Sequence, residues 1–410
     1  MTLAGCSDFT GAFPKVRFQL GAGNTAPARY PGIVAADETE AVRAARAILE
    51  AGGSAGDAAV TLAFSLAVTL PSAAGIGGGG TCIVHDRQVE VLDFMTPASP
   101  QKARAGVPML PRAMLALHAK YGHLPWAQVV APAEALARFG TRVSPELARA
   151  LAADGAVLVG DSTALQAFMT KERQTLQTGE VATHLDLAAT LGRIRARVAD
   201  FYDGPLAQEI EAAAAGAGGG ITRADLRVTV PRWRRAETDG QVRLRVYAST
   251  GAATPSGPER ATTSFVVADS KGNAIGCVLT MGQAFGLGVM AKGTGFLLAP
   301  ASATAPELLP VRAASMGSRN ILVFAAAGAG SASLTPASAA GASAADIVGR
   351  IPADARGNML VCTRAVNARD SNDAGPSPAG AEDVTSPTCL VRSDPRGAGA
   401  ATVFELKDPQ

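Results

Sequence analysis

The chain has 410 residues, 48% of them apolar and only 5% aromatic, so it can bury a core packed mainly by Ala, Val and Leu in one large domain or two modest ones. Its formal charge is +2 with both signs interspersed, which leaves no electrostatic footprint for nucleic acid. No apolar run reaches the length of a membrane span.

Residues 1–30 lack periodicity and read as an extended tether. Within them, Leu3-Ala4-Gly5-Cys6 spells a bacterial lipoprotein cleavage box with Cys6 as the lipidated residue. No charged n-region or apolar h-region precedes it, and the blander reading is a chance cysteine. A short strand over 32–36 leads into a helix over 39–51, capped by Asp37 or Thr39 and ended by Gly52-Gly53. Asp57 caps a second helix to about residue 70, apolar on nearly all sides and therefore buried. Gly75-Ile76-Gly77-Gly78-Gly79-Gly80 then precedes strands over 82–85 and 89–94. Helices are predicted over 108–120, 125–139, 145–153, 184–199 and 205–215. A strand over 242–248 runs into Gly251-Ala252-Ala253-Thr254-Pro255-Ser256-Gly257-Pro258, too rich in Gly and Pro for regular structure. Strands return over 262–269, 273–280, 296–298, 321–327, 359–366 and 400–406. Strands at both ends with helices between them predict helices layered outside stacked sheets.

Thr262 opens a strand directly behind that Gly/Pro linker. A cut before it would make its hydroxyl a nucleophile and its freed α-amine the base. Such an amine, with a pKa near ~7.7–8.0, is partly unprotonated at neutral pH and needs no histidine. On propensity alone, Thr262 is simply a strand residue. Other chemistries fare worse. Gly52-Gly53-Ser54-Ala55-Gly56 spells a serine-hydrolase elbow, but a helix precedes it where a strand is required, so it reads as a helix–helix turn. The glycine run at 75–80 lacks the Gly-Lys-Ser/Thr of a phosphate cradle. His85, His118, His123 and His184 show neither zinc spacing nor an evident carboxylate partner. Arg232-Trp233-Arg234-Arg235 reads as a solvated face. Cys82 and Cys277 lie in apolar strand patterns and read as core residues. Cys362 and Cys389 flank a polar loop that they could close as a disulfide in an oxidising compartment.

An ordered set of segments resembles the γ-glutamyltransferase family. It comprises Gly52-Gly53-Ser54-Ala55-Gly56-Asp57-Ala58-Ala59, the glycine run with Leu92-Asp93-Phe94 after it, Gly106-Val107-Pro108, Tyr121-Gly122-His123-Leu124-Pro125-Trp126 and Ala131-Pro132-Ala133. It continues through Ile221-Thr222-Arg223-Ala224-Asp225-Leu226, Thr262-Thr263-Ser264-Phe265-Val266-Val267, Gly272-Asn273-Ala274 and Gly293-Thr294-Gly295-Phe296-Leu297-Leu298. The resemblance implies an α+β fold, a four-layer αββα sandwich of the N-terminal-nucleophile hydrolase type. It also implies self-cleavage between Ala261 and Thr262, with Thr262 as nucleophile and Thr280 supporting it. Ala329 and Gly330 fall where a Gly-Gly pair supplies oxyanion-hole N–H groups, and Ser315 and Met316 fall in a substrate-wall motif. No metal or organic cofactor is implied.

The departures concern the substrate. Met95 stands where the family carries an Arg that clamps an α-carboxylate, and Gly282 and Leu298-Ala299-Pro300-Ala301 replace its amine-binding polar residues. Each lost charge-assisted hydrogen bond is worth roughly 1.5–3 kcal/mol. The expected enzyme is therefore a threonine amidohydrolase or acyltransferase acting on a small amide or short peptide other than a standard γ-glutamyl compound. The rival expectation is a catalytically degenerate, surface-anchored structural or binding protein on the same fold. A helical stretch of the family is missing between Val246 and Thr262, which calls for a protein partner or oligomer contact there. Residues 31–261 and 262–410 are expected to form large- and small-subunit-like parts of one domain. The expected location is the bacterial periplasm or its membrane, reached only through a lipid anchor.

Overall fold

The computed structural model describes residues 32–86, 88–98, 104–216, 220–238, 245–248, 261–302, 311–316, 320–325, 357–363, 388–393 and 399–406. Its strands are β1 (Gly32–Ala36), β2 (Gly79–His85), β3 (Val89–Phe94), β4 (Thr141–Arg142), β5 (Val181–Ala182), β6 (Arg232–Arg235), β7 (Glu237–Thr238), β8 (Arg245–Ala248), β9 (Thr262–Ala268), β10 (Ala274–Thr280), β11 (Val311–Met316), β12 (Asn320–Ala325), β13 (Asn358–Thr363), β14 (Thr388–Arg392) and β15 (Ala400–Phe404). The helices that matter below are α1 (Thr39–Glu50), α2 (Ala55–Thr69), α3 (Leu110–Tyr121) and α4 (Trp126–Phe139).

Two antiparallel sheets carry the architecture. One has the order β15-β1-β9-β10-β2-β3-β6, the other β14-β13-β12-β11-β8-β7. They pack face to face, with β9 and β10 against β11, β12 and β13. Ile33, Ala35, Ile83, Val266, Val278 and Leu360 fill the space between them. Alternate residues of the first sheet, Val34, Cys82, Phe265 and Cys277 among them, point the other way into the helical core. The fold is thus the expected α+β sandwich. Three layers (helices, sheet, sheet) are built from described residues, and the expected fourth layer lies outside the described residues.

Helix α2 is the central element. All fifteen of its residues are buried, because it lies between the first sheet and the outer helices α1, α3 and α4. Its start differs from the expected one. Ser54 is the N-cap and Asp57 the third helical residue, and the two close a reciprocal capping box. Asp57 also accepts from the backbone N–H groups of His123 at 2.9 Å and Leu124 at 3.1 Å. His118 Nε2 stands 3.4 Å from Asp57 Oδ1, so this histidine does face a carboxylate. A Cβ on Gly56 would lie 2.5 Å from the Tyr121 carbonyl oxygen, so only glycine admits this helix–helix approach. The Gly-x-Ser-x-Gly spelling is therefore a packing motif.

Three other expectations are corrected. The N-cap of α1 is Glu38, which makes no side-chain cap bond. Residues 296–298 form isolated bridges, Leu297 to Met290 and Leu298 to Gly77, instead of a strand. The positive φ at Gly293 and Gly295 bends the chain there, and Pro300 follows. Arg232–Arg235 is the edge strand β6, and Arg234 turns inward to pair with the buried Asp93 at 2.5 Å, so the cluster is only partly solvated. No helix among the described residues is long and apolar enough to cross a membrane.

Candidate active site

The β9–β10 hairpin sets the site by its turn. Gly272 adopts φ +82°, and Asp269 Oδ1 accepts from the N–H groups of Lys271 at 2.9 Å and Asn273 at 3.1 Å. This side-chain-closed turn pairs Ala268 with Ala274 and fixes every later pair, ending with Thr262 opposite Thr280. A slip of one strand by one residue would turn its threonine to the opposite face from the other. Asp269 Oδ2 also accepts from Ala55 N–H at the start of α2, which ties the turn to the helix layer.

At the open end of the hairpin, the Ala261 carbonyl oxygen receives two hydrogen bonds. Thr280 Oγ1 donates at 2.9 Å and the Met281 backbone N–H at 3.0 Å. The Gly282 N–H donates to Thr280 Oγ1 at 2.9 Å, which commits that hydroxyl's own proton to Ala261. Thr262 Oγ1, on the adjoining residue, is buried and has no hydrogen-bond partner among the described residues. Leaving a buried hydroxyl unpaired costs about 1–3 kcal/mol. In this uncut chain Thr280 thus engages the carbonyl before Thr262, not the Thr262 hydroxyl. A polarised carbonyl beside an uncommitted hydroxyl is suited to an intramolecular acyl shift.

The residues after Thr262 are held by groups that sequence reasoning passed over. Asp37 Oδ2 accepts from Thr263 Oγ1 at 2.6 Å and from Ser264 N–H at 3.1 Å. Asn358 Nδ2 donates to Asp37 Oδ1 at 2.8 Å, Ser264 O at 2.8 Å and Ser264 Oγ at 2.9 Å. All four residues are buried. Asp37 was expected only as a helix cap. Its true signal is tertiary, because β1 pairs with β9 and brings the end of β1 beside residues 263–264. Asp37→Ala should therefore loosen the start of β9, read as faster amide hydrogen exchange at residues 263–265 than in the intact protein.

The glycine run approaches the same place. A Cβ on Gly78 would lie 2.5 Å from the Thr280 carbonyl oxygen, and one on Gly77 would lie 2.1 Å from that of Leu297. These glycines therefore serve close backbone packing, with no phosphate role. A small pocket nearby is lined by Gly75, Ile76, Met281, Phe168, His184 and Phe296 among others. Burial holds His184 below the usual imidazole range.

Of the positions expected on the substrate side, Met95 is in apolar surroundings and Gly282 abuts a proline ring. Met95 packs against the inter-sheet cluster of Ile33, Ile83, Val91 and Val266. Gly282 has φ +75°, and a Cβ there would meet the Pro300 ring at 2.8 Å. Ser315 and Met316 end β11, in register with Ile321 and Asn320 of β12. Ala329, Gly330 and Cys6 lie outside the described residues. Cys362 and Cys389 face each other across β13 and β14 and are joined by a disulfide. Cys82 and Cys277 are core residues, but they too form a disulfide, between β2 and β10. Among the described residues no cluster of His, Cys, Asp or Glu could hold a metal ion.

Residues 41–253 match the sequence model of the gamma-glutamyltranspeptidase family. Glutathione hydrolase 3 of Arabidopsis thaliana is 32% identical over 216 residues, which cover 48% of this chain and 34% of that protein. The glutathione hydrolase proenzyme of Escherichia coli is 32% identical over 219 residues, covering 48% of this chain and 38% of the proenzyme. The matched part thus spans little more than a third of these curated relatives. Among solved structures, cephalosporin acylase from Bacillus halodurans superposes with a TM-score of 0.70 at 19% identity, over 95% of this chain and 98% of the acylase, a likeness of fold.

Proposed function

The chain belongs to the γ-glutamyltranspeptidase family, and from that premise we propose that it is a self-cleaving threonine amidohydrolase or acyltransferase. The observation that carries this reading is the pair of donors on the Ala261 carbonyl beside the buried Thr262 hydroxyl, which has no hydrogen-bond partner among the described residues. Thr262 Oγ attacks the Ala261 carbonyl carbon, and Thr280 Oγ1 and Met281 N–H hold the oxyanion that forms. Collapse breaks the Ala261–Thr262 C–N bond, the hydroxyl proton passes to the departing nitrogen, and Ala261 is left esterified to the Thr262 oxygen. Water hydrolyses that ester, which frees the Ala261 carboxylate, the Thr262 hydroxyl and the Thr262 α-amine. The amine then acts as base for the hydroxyl in attack on an amide substrate, and water or an amine releases the acyl group.

The substrate is a small amide or short peptide whose acyl part is neutral or apolar. Met95 sits in an apolar inter-sheet setting where an arginine would be needed for a carboxylate, and Pro300 occupies the space beside Gly282. The oxyanion donors for this step are assigned to Ala329 and Gly330 by family resemblance. Two disulfides support maturation in an oxidising compartment such as the periplasm.

Two measurements test this. Intact-mass analysis of the reduced, purified protein should give two fragments split before Thr262, and Thr262→Ala should stay whole. A wild-type chain that persists as one piece would favour the non-catalytic reading of the fold. A γ-glutamyl chromogenic amide should turn over at least 10-fold more slowly than a neutral acyl amide with the same leaving group, because each missing charge-assisted contact costs about 1.5–3 kcal/mol. The reverse preference would refute the assignment of acyl class.

A further inference from the structure

Cys82 lies before the Ala261–Thr262 bond and Cys277 after it, 195 residues apart in the sequence. They meet because β2 and β10 are neighbours in the first sheet, in a register that puts the two cysteines directly opposite each other. Both side chains are fully buried and point into the helical core. The second disulfide, Cys362–Cys389, lies wholly after Thr262 and cannot join the two sides of that bond.

We infer that Cys82–Cys277 is a covalent staple across the self-cleavage bond, so that scission before Thr262 yields two polypeptides that remain one molecule. The staple itself stands on geometry alone, and only its consequence for fragments rests on the self-cleaving reading. It forms when the two thiols give up two protons and two electrons to an external disulfide, which is thereby reduced to two thiols. Once formed, it is shielded by burial, because an attacking thiolate must reach a sulfur to exchange with it.

The physical consequence concerns the site. Thr280 follows Cys277 by three residues on β10, and its partner across the sheet is Gly79 on β2. After scission, the sequence before Ala261 and the sequence after Thr262 would otherwise be held only by packing and sheet pairing. The bridge keeps β10 beside β2 even when the sheet opens locally, so Thr280 and Met281 stay with the glycine run that packs against them. It is therefore a maturation feature of the two-fragment molecule, set at the sheet that carries the threonine pair.

The test uses the full chain purified from an oxidising compartment, with free thiols alkylated before and during denaturation. A non-reducing digest should contain a Cys82 peptide joined to a Cys277 peptide, two hydrogens lighter than the separate thiol forms. On a denaturing gel, the cleaved protein should run as one species without reductant and as two with it. The double variant Cys82→Ala/Cys277→Ala should give two species without reductant, whereas Cys362→Ala/Cys389→Ala should behave as wild type. Alkylated Cys82 and Cys277 in the unreduced protein, or either one bonded to another cysteine, would overturn the inference. A joined peptide pair in a chain that never cleaves would uphold the staple and sink only the self-cleaving reading.

Discussion

Replacing Thr280 by valine should slow scission of the Ala261–Thr262 bond by about 10²–10³-fold. Valine keeps the shape and β-preference of threonine but removes the hydroxyl that donates to the Ala261 carbonyl oxygen at 2.9 Å. In the proposed scission that oxygen takes on negative charge as the Thr262 hydroxyl adds, and loss of one preorganised oxyanion donor costs about 2.7–4 kcal/mol of barrier. The Met281 N–H remains, so the rate should fall without vanishing. The valine also leaves the Gly282 N–H without its acceptor, a modest cost to the folded chain. The check is the time course of uncut chain by intact mass, beside Thr280→Ser, which restores the donor and should recover most of the rate. If Thr280→Val cleaves as fast as wild type, the hydroxyl has no part in the step.

Glu38→Gln should remove a large pH dependence of stability. Glu38 is buried at the start of α1, where desolvation pushes its carboxyl from 4.5 to about 8, against the Ser144 hydroxyl that donates to it at 2.6 Å. Neighbouring Asp37, Glu146 and Glu40 push in the same upward direction. A carboxyl whose folded pKa lies above its unfolded one favours the folded state fully only below the unfolded value. Between pH 4.5 and about 8 the unfolded chain releases a proton that the folded chain retains, so stability falls as pH rises through that window. At about 1.36 kcal/mol per pH unit, the gap corresponds to roughly 4–5 kcal/mol. Denaturant midpoints at pH 5, 6.5 and 8 should decline more steeply for wild type than for Glu38→Gln, and the variant should be the more stable at pH 8. Parallel declines in the two proteins would mean that Glu38 is charged in the folded state.

Glu38 adjoins Asp37, whose carboxylate holds residues 263 and 264. Ionisation of Glu38 would set a second buried negative charge beside that clamp. Keeping Glu38 protonated lets Asp37 serve Thr263 and Ser264 without a like-charged neighbour.

Local signals fixed a good deal of this molecule in advance. Periodicity located α1, α2 and the helices that follow, because each buries an apolar face whose spacing is written in consecutive residues. Two runs of strand-forming residues and the turn residues between them located β9 and β10 to within a residue, since the turn at Asp269–Asn273 is closed by its own side chains. Thr262 was visible as a hydroxyl at a strand start behind a Gly/Pro linker, and the ordered glycine and threonine motifs gave the family. Short helices such as Ser162–Ala167 and Arg223–Val228 escaped notice, being too short to establish a period.

What the tertiary structure alone decided is which distant groups face one another. That Asp37 binds Thr263 and Ser264, that Cys82 bonds to Cys277, and that Arg234 turns in to Asp93 all follow from strand order in a sheet. So does the placement of Thr280 and Met281 on the Ala261 carbonyl. Strand order is set by long-range pairing that buries apolar faces over hundreds of residues, and no local pattern encodes it. The sequence by itself therefore determined the longer elements, the family and the place of Thr262 at the head of β9, while the pairing of β1, β9, β10 and β2 decided which groups surround that residue.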